Sequence, residues 1–470
     1  MTRRVIVAGG GMCGLAAAHR LTELAPELDV VLLEASQRVG GLVGTELTDD
    51  GFVIELGADS ILTEKPWALA LAKRLGLEPE LVRTGETGQG AYVVSRGKLE
   101  KIPDGFALLA PTAAWPILRS PVLSWPGKAR MALELILPRG PVRDDESLQS
   151  FVTRRFGKEL HDKLAQPMVG GIYGADPSVL SMRATIPRFL DAERDSRSVT
   201  LGLWRKALSA GRRARASGAR YGLFVNFRQG SQVLPDALAA RLGDRIQCGV
   251  AIERIEPTTS GVKVVTNTRE RLDADAVVLA LPARVASHLY EPHDADLAAD
   301  IGAIKHGSSA TISFAWRREE IPHPMDAFGF VVPLCEGRPI LASTWASVKW
   351  PGRAPAGMHL IRVFIGGAGR EHVLAGNDDA LVSTCRAELR ELMGITAEPH
   401  LVRVARYHDA MPQFEVGHLG RVAEIERKAA QVPRTVLAGA YLRGVGIPDA
   451  VRGGEDAAAR VIEMLGASHD

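Results

Sequence analysis

The first 34 residues place a strand, a glycine-rich turn, a helix and a second strand in an order that few folds share. Residues 4–8 read RVIVA, a β-branched run typical of a buried parallel strand. The turn GGGMCG follows and gives G-x-G-x-x-G at Gly9, Gly11 and Gly14. The alanine-rich residues 15–24 predict a helix, and residues 29–33 predict a second strand that ends at Glu34. This order predicts a dinucleotide-binding unit.

Each residue of this motif has a predicted task. Gly9 permits the tight turn, Gly11 lets backbone approach a pyrophosphate, and Gly14 lets the helix pack on the strand. The helix N-terminus offers unpaired N–H groups to the phosphates. Glu34 lies twenty residues after Gly14, where it can accept hydrogen bonds from ribose hydroxyls. An acid at this place disfavours NADP and leaves FAD and NAD.

Composition sets the broad class of the protein. The chain of 470 residues, 46% apolar and 24% charged, predicts a soluble protein of two or three lobes. A net charge of +2 gives no reason to expect nucleic acid as a partner. The four cysteines lack metal-ligand spacing and predict free thiols in a reducing compartment. No apolar run reaches the roughly 20 residues of a membrane span, and a strand follows the N-terminus at once. We therefore expect a cytoplasmic protein, either soluble or peripheral on the cell membrane.

Two further runs near the N-terminus resemble a known superfamily. Residues 34–41 read EASQRVGG and residues 55–60 read ELGADS. They resemble the flavin-oxidase superfamily of amine oxidases, carotenoid desaturases and porphyrinogen oxidases, in which such runs follow the diphosphate toward the isoalloxazine. The resemblance assigns to FAD the residues Arg38, Gly41, Leu42, Gly57, Ala58 and Asp59.

The C-terminal region predicts the other half of the cofactor site. Residues 435–449 read TVLAGAYLRGVGIPD, which predicts a strand at 436–438, a glycine-rich turn and a helix over 450–465 capped by Asp449. Strands are also predicted at 246–255, 262–266 and 275–281. By the same resemblance, the residues that close the FAD site are Val250, Gly439, Gly446, Ile447 and Pro448. The C-terminal loop has no cysteine, so the flavin is expected to be non-covalent.

Longer motifs narrow the resemblance to one family. Residues 57–66, 170–182, 328–333, 364–367, 412–418 and 444–446 are similar, in order, to markers of the protoporphyrinogen oxidase family, which includes the bacterial coproporphyrinogen III oxidases. The resemblance implies that FAD takes six electrons from a porphyrinogen in three steps and that O₂ reoxidises it to give H₂O₂, in haem synthesis. The cofactor carries the difficult chemistry in such enzymes. Substrate contacts are implied for Gly171, Gly174, Val331, Thr344 and Phe364.

One position departs from the family. Many protoporphyrinogen oxidases carry a propionate-binding arginine before the strand at 92–94, and this chain has Ala91 there. Because an arginine–carboxylate pair is a strong contact, its loss implies another anchor. The candidates are Arg96, Lys98, Lys65 and Arg188. The departure favours the coproporphyrinogen branch, whose substrate has four propionates.

Two segments each allow two interpretations. Residues 106–138 contain Trp115 and Trp125 among basic residues, with a helix predicted over 128–137, and they suit either a membrane-contacting surface or a helical lid. The basic run Arg205–Arg220 suits either a solvated linker or a positive funnel for a polycarboxylate. A homodimer also stays open.

The predicted architecture is α/β: a discontinuous Rossmann-like FAD domain, a mixed-sheet substrate domain and a helical lid. FAD-binding parts are predicted at 1–65, 226–290 and 431–470, substrate parts at 66–100 and 291–430, the lid at 101–200 and a basic linker at 201–225. The alternatives are an amine oxidase, a carotenoid desaturase or a non-catalytic flavin- or tetrapyrrole-binding protein. We assign no general base, because structural roles are expected for His161, His306, His408 and His418.

Overall fold

The computed structural model describes residues 2–86, 88, 90–111, 114–141, 143–206 and 223–466. Most of the basic run at 205–220 lies outside these residues, so the choice between a linker and a funnel stays open. Within the described part of the chain, no helix has both the length and the apolar content needed to cross a bilayer.

A five-stranded parallel sheet is built from three separate stretches of sequence. Its strand order is Ile246–Cys248, Asp29–Glu34, Arg4–Ala8, Ala276–Leu279 and Thr435–Leu437. Apolar side chains on both faces bury the sheet, as parallel pairing requires. This confirms the predicted discontinuous Rossmann-like domain, while the individual domain boundaries stay predictions.

Helices and a small antiparallel sheet cover the two faces of the parallel sheet. One face packs on the helices Met12–Leu24, Trp67–Arg74, Val233–Leu242 and Ile447–Gly466. The other packs on the strands Ile252–Pro257, Val262–Thr266 and Arg271–Ala274 and on the helices Ala283–Tyr290, Ala295–Gly302 and His418–Ala429. The carboxyl ends of the strands are left facing the rest of the molecule.

A mixed seven-stranded sheet forms the second layer. Its strand order is Leu401–Pro412, His306–Arg317, Met358–Gly366, Ile340–Trp345, Gly329–Val331, Tyr92–Ser95 and Lys98–Lys101. Gly329–Val331 pairs in parallel with Tyr92–Ser95, and the other pairs are antiparallel. One face is apolar and is covered by the helix Asp378–Met393. The opposite face looks toward the glycine-rich loops.

The third layer is helical and has its own core, built around Phe151, Phe156 and Phe189. Its helices are Ala114–Arg119, Trp125–Ala132, Leu148–Phe156, Lys158–Leu160, Gln166–Tyr173, Met182–Thr185 and Arg188–Ser196, with a π-helical turn at His161–Ala165. The buried pair Arg155–Glu134, with 2.6 Å between Nη2 and Oε1, joins two parts of this layer.

Short elements complete the chain. Two small antiparallel sheets contain Thr45–Leu47 with Val53–Glu55, and Ile61–Leu62 with Phe224–Phe227 and Leu81–Arg83. Phe106–Ala107 pairs with Ala110–Pro111, and short helices lie at Ala346–Lys349 and Ala440–Arg443. Single 3₁₀ turns occur at Glu78–Glu80, Leu133–Leu135, Gly243–Arg245, Arg318–Glu320, Leu334–Glu336 and Glu371–Ala375.

The predicted strand at 246–255 is wrong as one element. It forms two strands, because Gly249 has φ +77° and turns the chain between them. The predicted helix at 128–137 begins instead at Trp125, since the Ser124 hydroxyl accepts from the Gly127 N–H and caps it there. It leaves α-helical geometry after Ala132.

The C-terminal prediction also needs correction. The last helix begins at Ile447 rather than Ala450, so Asp449 lies inside the first turn and is not its cap. Pro448 is tolerated there because the first N–H groups of a helix have no intrahelical partner. The predicted turn before this helix contains the short helix Ala440–Arg443.

Candidate functional site

The glycine turn at the end of the first strand combines close packing with open space. A Cβ added at Gly9 would overlap the Ala280 carbonyl oxygen, and one added at Gly14 would overlap the carbonyl oxygen of Gly9. An added Cβ at Gly11 would meet nothing within 4 Å. Gly9 therefore lets the turn lie against the end of the neighbouring strand, Gly14 lets the helix lie against the turn, and Gly11 presents its backbone to free space.

Glu34 closes the outer side of this turn. Its Oε2 accepts from the Gly10 N–H at 2.6 Å, and its Oε1 accepts from the Ser36 N–H at 2.8 Å. The backbone carbonyl of Glu34 accepts from the Val250 N–H at 2.9 Å. The structure therefore brings together Glu34, predicted to bind ribose, and Val250, which the family resemblance assigned to the FAD site.

The loop at 38–43 lies against the glycine turn. The Gly40 N–H donates to the Gly10 carbonyl at 2.8 Å, and a Cβ added at Gly41 would lie 3.1 Å from the Gly11 Cα. Arg38 donates to the carbonyls of Gly41 at 2.9 Å and Val43 at 3.0 Å. Its guanidinium thus shapes this loop, and Leu42 next to it is half exposed.

The two ends of the chain meet through a glycine that sequence reasoning missed. A Cβ added at Gly454 would overlap the Cys13 carbonyl oxygen, so the last helix lies in close contact with Met12–Leu24. The run of small residues around Gly453 and Gly454 was the available signal. Ile447, flanked by Gly446 and Pro448, belongs to the same apolar core as Met12 and Cys13, and the strand before Gly439 joins the parallel sheet.

Lys65, just before the helix Trp67–Arg74, and Asp449, in the first turn of the last helix, form an ion pair. Lys65 Nζ lies 2.7 and 2.6 Å from the two carboxylate oxygens of Asp449. Arg188 lies 3.3 Å from Glu64, whereas Arg96 donates its backbone N–H to Glu336 in a distant hairpin. Lys65 and Arg188 are thus the anchor candidates that lie at the junction of helical layer and glycine loops.

The predicted substrate residues gather on one face of the seven-stranded sheet. Val331 pairs with Ala342, Ala342 with Phe364, and Phe364 with Thr311, so these four form a continuous cross-strand row. Thr344 lies beside it and pairs with Arg362. The row is apolar for most of its length.

The helix Gln166–Tyr173 ends at the rim of this row. A Cβ added at Gly171 would lie 3.9 Å from Val331 Cγ1, and one added at Gly174 would lie 3.9 Å from the Gly367 Cα. Gly174 has φ +56°, and its carbonyl accepts from the Ala368 N–H at 2.9 Å. All five residues predicted to contact substrate therefore belong to one region.

Three strands of the sheet hold the loop 56–60 by its carbonyls. The Leu56 carbonyl accepts from Thr311 Oγ1 at 3.2 Å, from Arg362 Nη2 at 2.9 Å and from the Tyr407 hydroxyl. The Gly57 carbonyl accepts from Arg362 Nη2 at 2.6 Å. Sequence reasoning missed both Arg362 and Tyr407.

This loop also touches the N-terminal loops. A Cβ added at Gly57 would overlap the Leu42 carbonyl oxygen, so glycine is required for the contact. The glycine turn, Gly41, Leu42 and Gly57 are therefore in continuous backbone contact, and we call this run the cradle. It leads from the nucleotide turn to the polar edge of the sheet face.

Asp59 in this loop lies between two cations. Lys349 Nζ is 3.3 Å from Asp59 Oδ1 and 2.8 Å from Ser60 Oγ, and Arg362 Nη1 is 3.8 Å from Asp59 Oδ2. Burial alone would raise the pKa of the Asp59 carboxyl, but Lys349 and Arg362 outweigh it and bring the pKa down to about 2. Asp59 is thus a carboxylate at neutral pH.

Glu55 precedes the loop 56–60 and binds a side chain that holds this loop. It accepts from Asn226 Nδ2 at 2.8 Å, from Thr45 Oγ1 at 2.8 Å and from Arg353 Nη2 at 3.3 Å. Burial raises the pKa of the Glu55 carboxyl, and Arg353 offsets part of that rise. Asn226 Nδ2 also donates to the Asp59 carbonyl at 2.8 Å, which links this cluster to the loop.

Three of the four candidate histidines hold the fold together. His418 stacks on Phe414 with 4.2 Å between ring centroids, and its Nε2 lies 3.0 Å from the Leu442 carbonyl. His306 Nδ1 lies 2.9 Å from a backbone carbonyl, and His161 Nδ1 lies 2.8 Å from Asp162 Oδ1. Burial lowers the pKa of His306 and of His418. These contacts accord with structural roles.

A cradle of glycine backbone at the carboxyl ends of a parallel sheet, facing a second mixed sheet, is the arrangement of a flavoprotein oxidoreductase. The family model of flavin-containing amine oxidoreductases matches residues 12–462. The chain belongs to this family and is an oxidoreductase.

Individual relatives are similar over almost the whole chain. The coproporphyrinogen III oxidase of Bacillus subtilis is 33% identical over 98% of this chain and 98% of its own length. The protoporphyrinogen oxidase of Homo sapiens is 29% identical over 98% of this chain and 99% of its own. A solved structure from Exiguobacterium, named as a candidate protoporphyrinogen oxidase, has a TM-score of 0.87 at 28% identity and covers 99% of both chains.

Proposed function

We propose that this chain oxidises coproporphyrinogen III to coproporphyrin III with FAD as cofactor and O₂ as acceptor, in haem synthesis. The observation that carries the substrate class is the apolar strip Val331–Ala342–Phe364, faced by the glycines Gly171 and Gly174. A flat macrocycle suits an apolar strip bordered by bare backbone, because no side chain at the border keeps the ring away. The names of the Bacillus and human relatives support the same class.

The described residues fit FAD in particular. The free space at Gly11 suits a diphosphate, and the Glu34 carboxylate suits ribose hydroxyls. The backbone of Gly41, Leu42 and Gly57 extends the cradle from the glycine turn toward the substrate face. The loop 439–446 before the last helix contains no cysteine, which supports a non-covalent cofactor.

The chemistry divides between cofactor and protein. When bound, FAD would take up the hydride equivalents of the porphyrinogen and be reoxidised by O₂, so that six electrons and six protons leave with three molecules of H₂O₂. The chain itself would orient the macrocycle through Val331 and Phe364. Gly171 and Gly174 would let it lie close to backbone, and the buried sheet face would exclude water.

The coproporphyrinogen branch is favoured over protoporphyrinogen IX by charge at the site. Ala91 supplies no cation, whereas Lys65 and Arg188 lie where the helical layer meets the glycine loops. Both are partly exposed and have carboxylate partners that substrate propionates could replace. The higher identity to the Bacillus relative, 33% against 29% for the human one, points the same way.

We also infer a cytoplasmic enzyme that touches the inner face of the cell membrane through its helical layer. Trp125 and Ile136 are each 70% exposed, and Trp115 is 62% exposed. Arg119, which is exposed, lies 4.6 Å from the centre of the Trp115 ring. Exposed tryptophans beside cations suit the interface of an anionic membrane. A homodimer stays a prediction from the family resemblance.

The test is anaerobic reduction of the yellow, FAD-loaded protein by coproporphyrinogen III, protoporphyrinogen IX and a primary amine. We expect both porphyrinogens to bleach the flavin, coproporphyrinogen faster, and a porphyrin Soret band with H₂O₂ to appear on aeration. Reduction by the amine alone would identify an amine oxidase. If no substrate bleaches the flavin, the assignment as a porphyrinogen oxidase fails.

A further inference from the structure

Arg362 is a buried cation, and one of its N–H donors has no hydrogen-bond partner among the described groups. The residue is 3% exposed, and both of its close hydrogen bonds, to the Leu56 and Gly57 carbonyls, come from Nη2. Its Nε has no acceptor among the described groups. A buried donor without a partner is costly, so this Nε is open to an acceptor that a ligand brings.

The position of Arg362 connects the sheet face to the cradle. It pairs with Thr344 across the strands, and its guanidinium lies 4.8 Å from the centre of the Phe364 ring. The loop that it grips contacts Leu42 through Gly57. Arg362 therefore lies between the proposed substrate strip and the loop assigned to the isoalloxazine.

The charges around this loop do not cancel. Arg362 and Lys349 both flank the single carboxylate of Asp59. The neighbouring Arg353 is paired with Glu55 and adds no net charge. One unit of positive charge is therefore left beside the loop, in surroundings where solvent screens it weakly.

We propose that Arg362 is a positioning residue for the flavin: it fixes the loop 56–60 beneath the isoalloxazine, and its uncancelled charge makes the flavin easier to reduce. Asp59 opposes this effect, because a carboxylate disfavours the added negative charge of the reduced flavin. The proposal rests on the proposed FAD site and does not depend on which substrate the enzyme oxidises. Charge near the ring system is one of the few means by which a protein tunes a flavin.

The experiment is a reduction-potential titration of the FAD-loaded full chain with reference dyes and no porphyrinogen. We expect Arg362→Gln to lower the two-electron potential by about 30 mV, which is a tenfold change in the reduction equilibrium. Asp59→Asn should raise the potential by a comparable amount. The control Arg427→Gln removes an exposed arginine paired with Glu424 and should leave the potential unchanged.

Opposite shifts in the two variants support the proposal. Shifts in the same direction, or potentials equal to that of the Arg427→Gln protein, would overturn it. If Arg362→Gln does not retain FAD, Arg362→Lys keeps the charge without the double grip on the carbonyls. It should hold the wild-type potential but release FAD faster, and a lowered potential would contradict the role of charge. Because no porphyrinogen is used, failure of the oxidase assignment would leave these results intact.

Discussion

Arg353 and Glu55 face each other inside the protein, with 3.3 Å between Nη2 and Oε1, and Arg353 is completely buried. Arg353 also donates to the carbonyls of Phe227 and Arg228. The pair therefore joins the segment after Trp350 to two strands of the cofactor side. Buried pairs contribute little compared with apolar residues, but breaking one leaves a charge without a partner.

Replacing Arg353 by Met should therefore lower stability by about 3–5 kcal/mol, since Glu55 stays buried without its cation. The measurement is the urea midpoint of the apo protein. Arg194→Met is the control, because Arg194 is 71% exposed and pairs with an exposed Asp191, and it should cost at most about 1 kcal/mol. Equal midpoints for the two variants would show that the buried pair does not brace the fold.

The lowered pKa of Asp59 predicts that the stability of the protein depends on pH. Its pKa falls from 3.8 to about 2 on folding, so its contribution is present above pH 3.8 and is lost as the pH falls toward 2. Asp59→Asn should be less stable than wild type by about 2 kcal/mol at neutral pH, and the difference should shrink below pH 4. Denaturant midpoints at pH 7 and pH 3 measure it. A difference that grows at low pH would mean that Asp59 is not held as a carboxylate.

The contact between the terminal helices offers a matched pair of substitutions on adjacent residues. Gly454→Ala would press a methyl group into the Cys13 carbonyl and should destabilise by about 1–3 kcal/mol, with loss of FAD. Gly453→Ala meets Cys13 Sγ at 3.7 Å, an ordinary contact, and should stabilise the helix by about 0.5–1 kcal/mol. Flavin content and melting temperature separate the two. The close packing is refuted if both variants behave alike.

The apolar strip beside Gly171 should be specific to substrate. Gly171→Leu would place a large side chain over Val331 and should raise KM for the porphyrinogen about tenfold, equivalent to ~1.4 kcal/mol of binding, while flavin affinity stays unchanged. Ile172→Leu changes the neighbouring exposed residue at equal volume and serves as the control. A wild-type KM in the Gly171→Leu enzyme would place the macrocycle elsewhere.

The exposed aromatic surface predicts binding to anionic vesicles. Trp125→Ser with Ile136→Ser should weaken vesicle binding about tenfold, because each removes an apolar side chain that is 70% exposed. Leu47→Ser removes an exposed apolar residue, 57% exposed, from a different region and should have no effect. Sedimentation with vesicles measures the bound fraction. Unchanged sedimentation would favour a helical lid over a membrane contact.

Local patterns predicted the parts of the fold that local residues determine. The strands Arg4–Ala8 and Val262–Thr266 lie where their β-branched runs indicated, because each run is long enough to specify a buried strand by itself. The family resemblance assigned Gly171, Val331 and Phe364 to the substrate. The structure brings Gly171 close to Val331 and joins Val331 to Phe364 through Ala342, while their contact with substrate stays a prediction. Their spacing alone contained no such information.

The sequence alone could not predict contacts between residues that are far apart in the chain. The Leu56 carbonyl takes its donors from Thr311, Arg362 and Tyr407, which are 255, 306 and 351 positions away. No periodicity marks such partners, because each depends on how two sheets are placed against one another. The start of the last helix was missed for a related reason. The local proline suggested a later start, while Asp449 inside the first turn is held by Lys65, 384 positions earlier.

The parallel sheet takes its strands from residues 4–34, 246–279 and 435–437. A ribosome adds about 5–20 residues per second, so roughly 20–90 s separate synthesis of the glycine turn from synthesis of the helix that completes the cradle. During that interval the first strands lack their later neighbours and their apolar faces stay uncovered. The cradle is complete only when almost the whole chain has been synthesised, so cofactor capture follows almost the whole of translation.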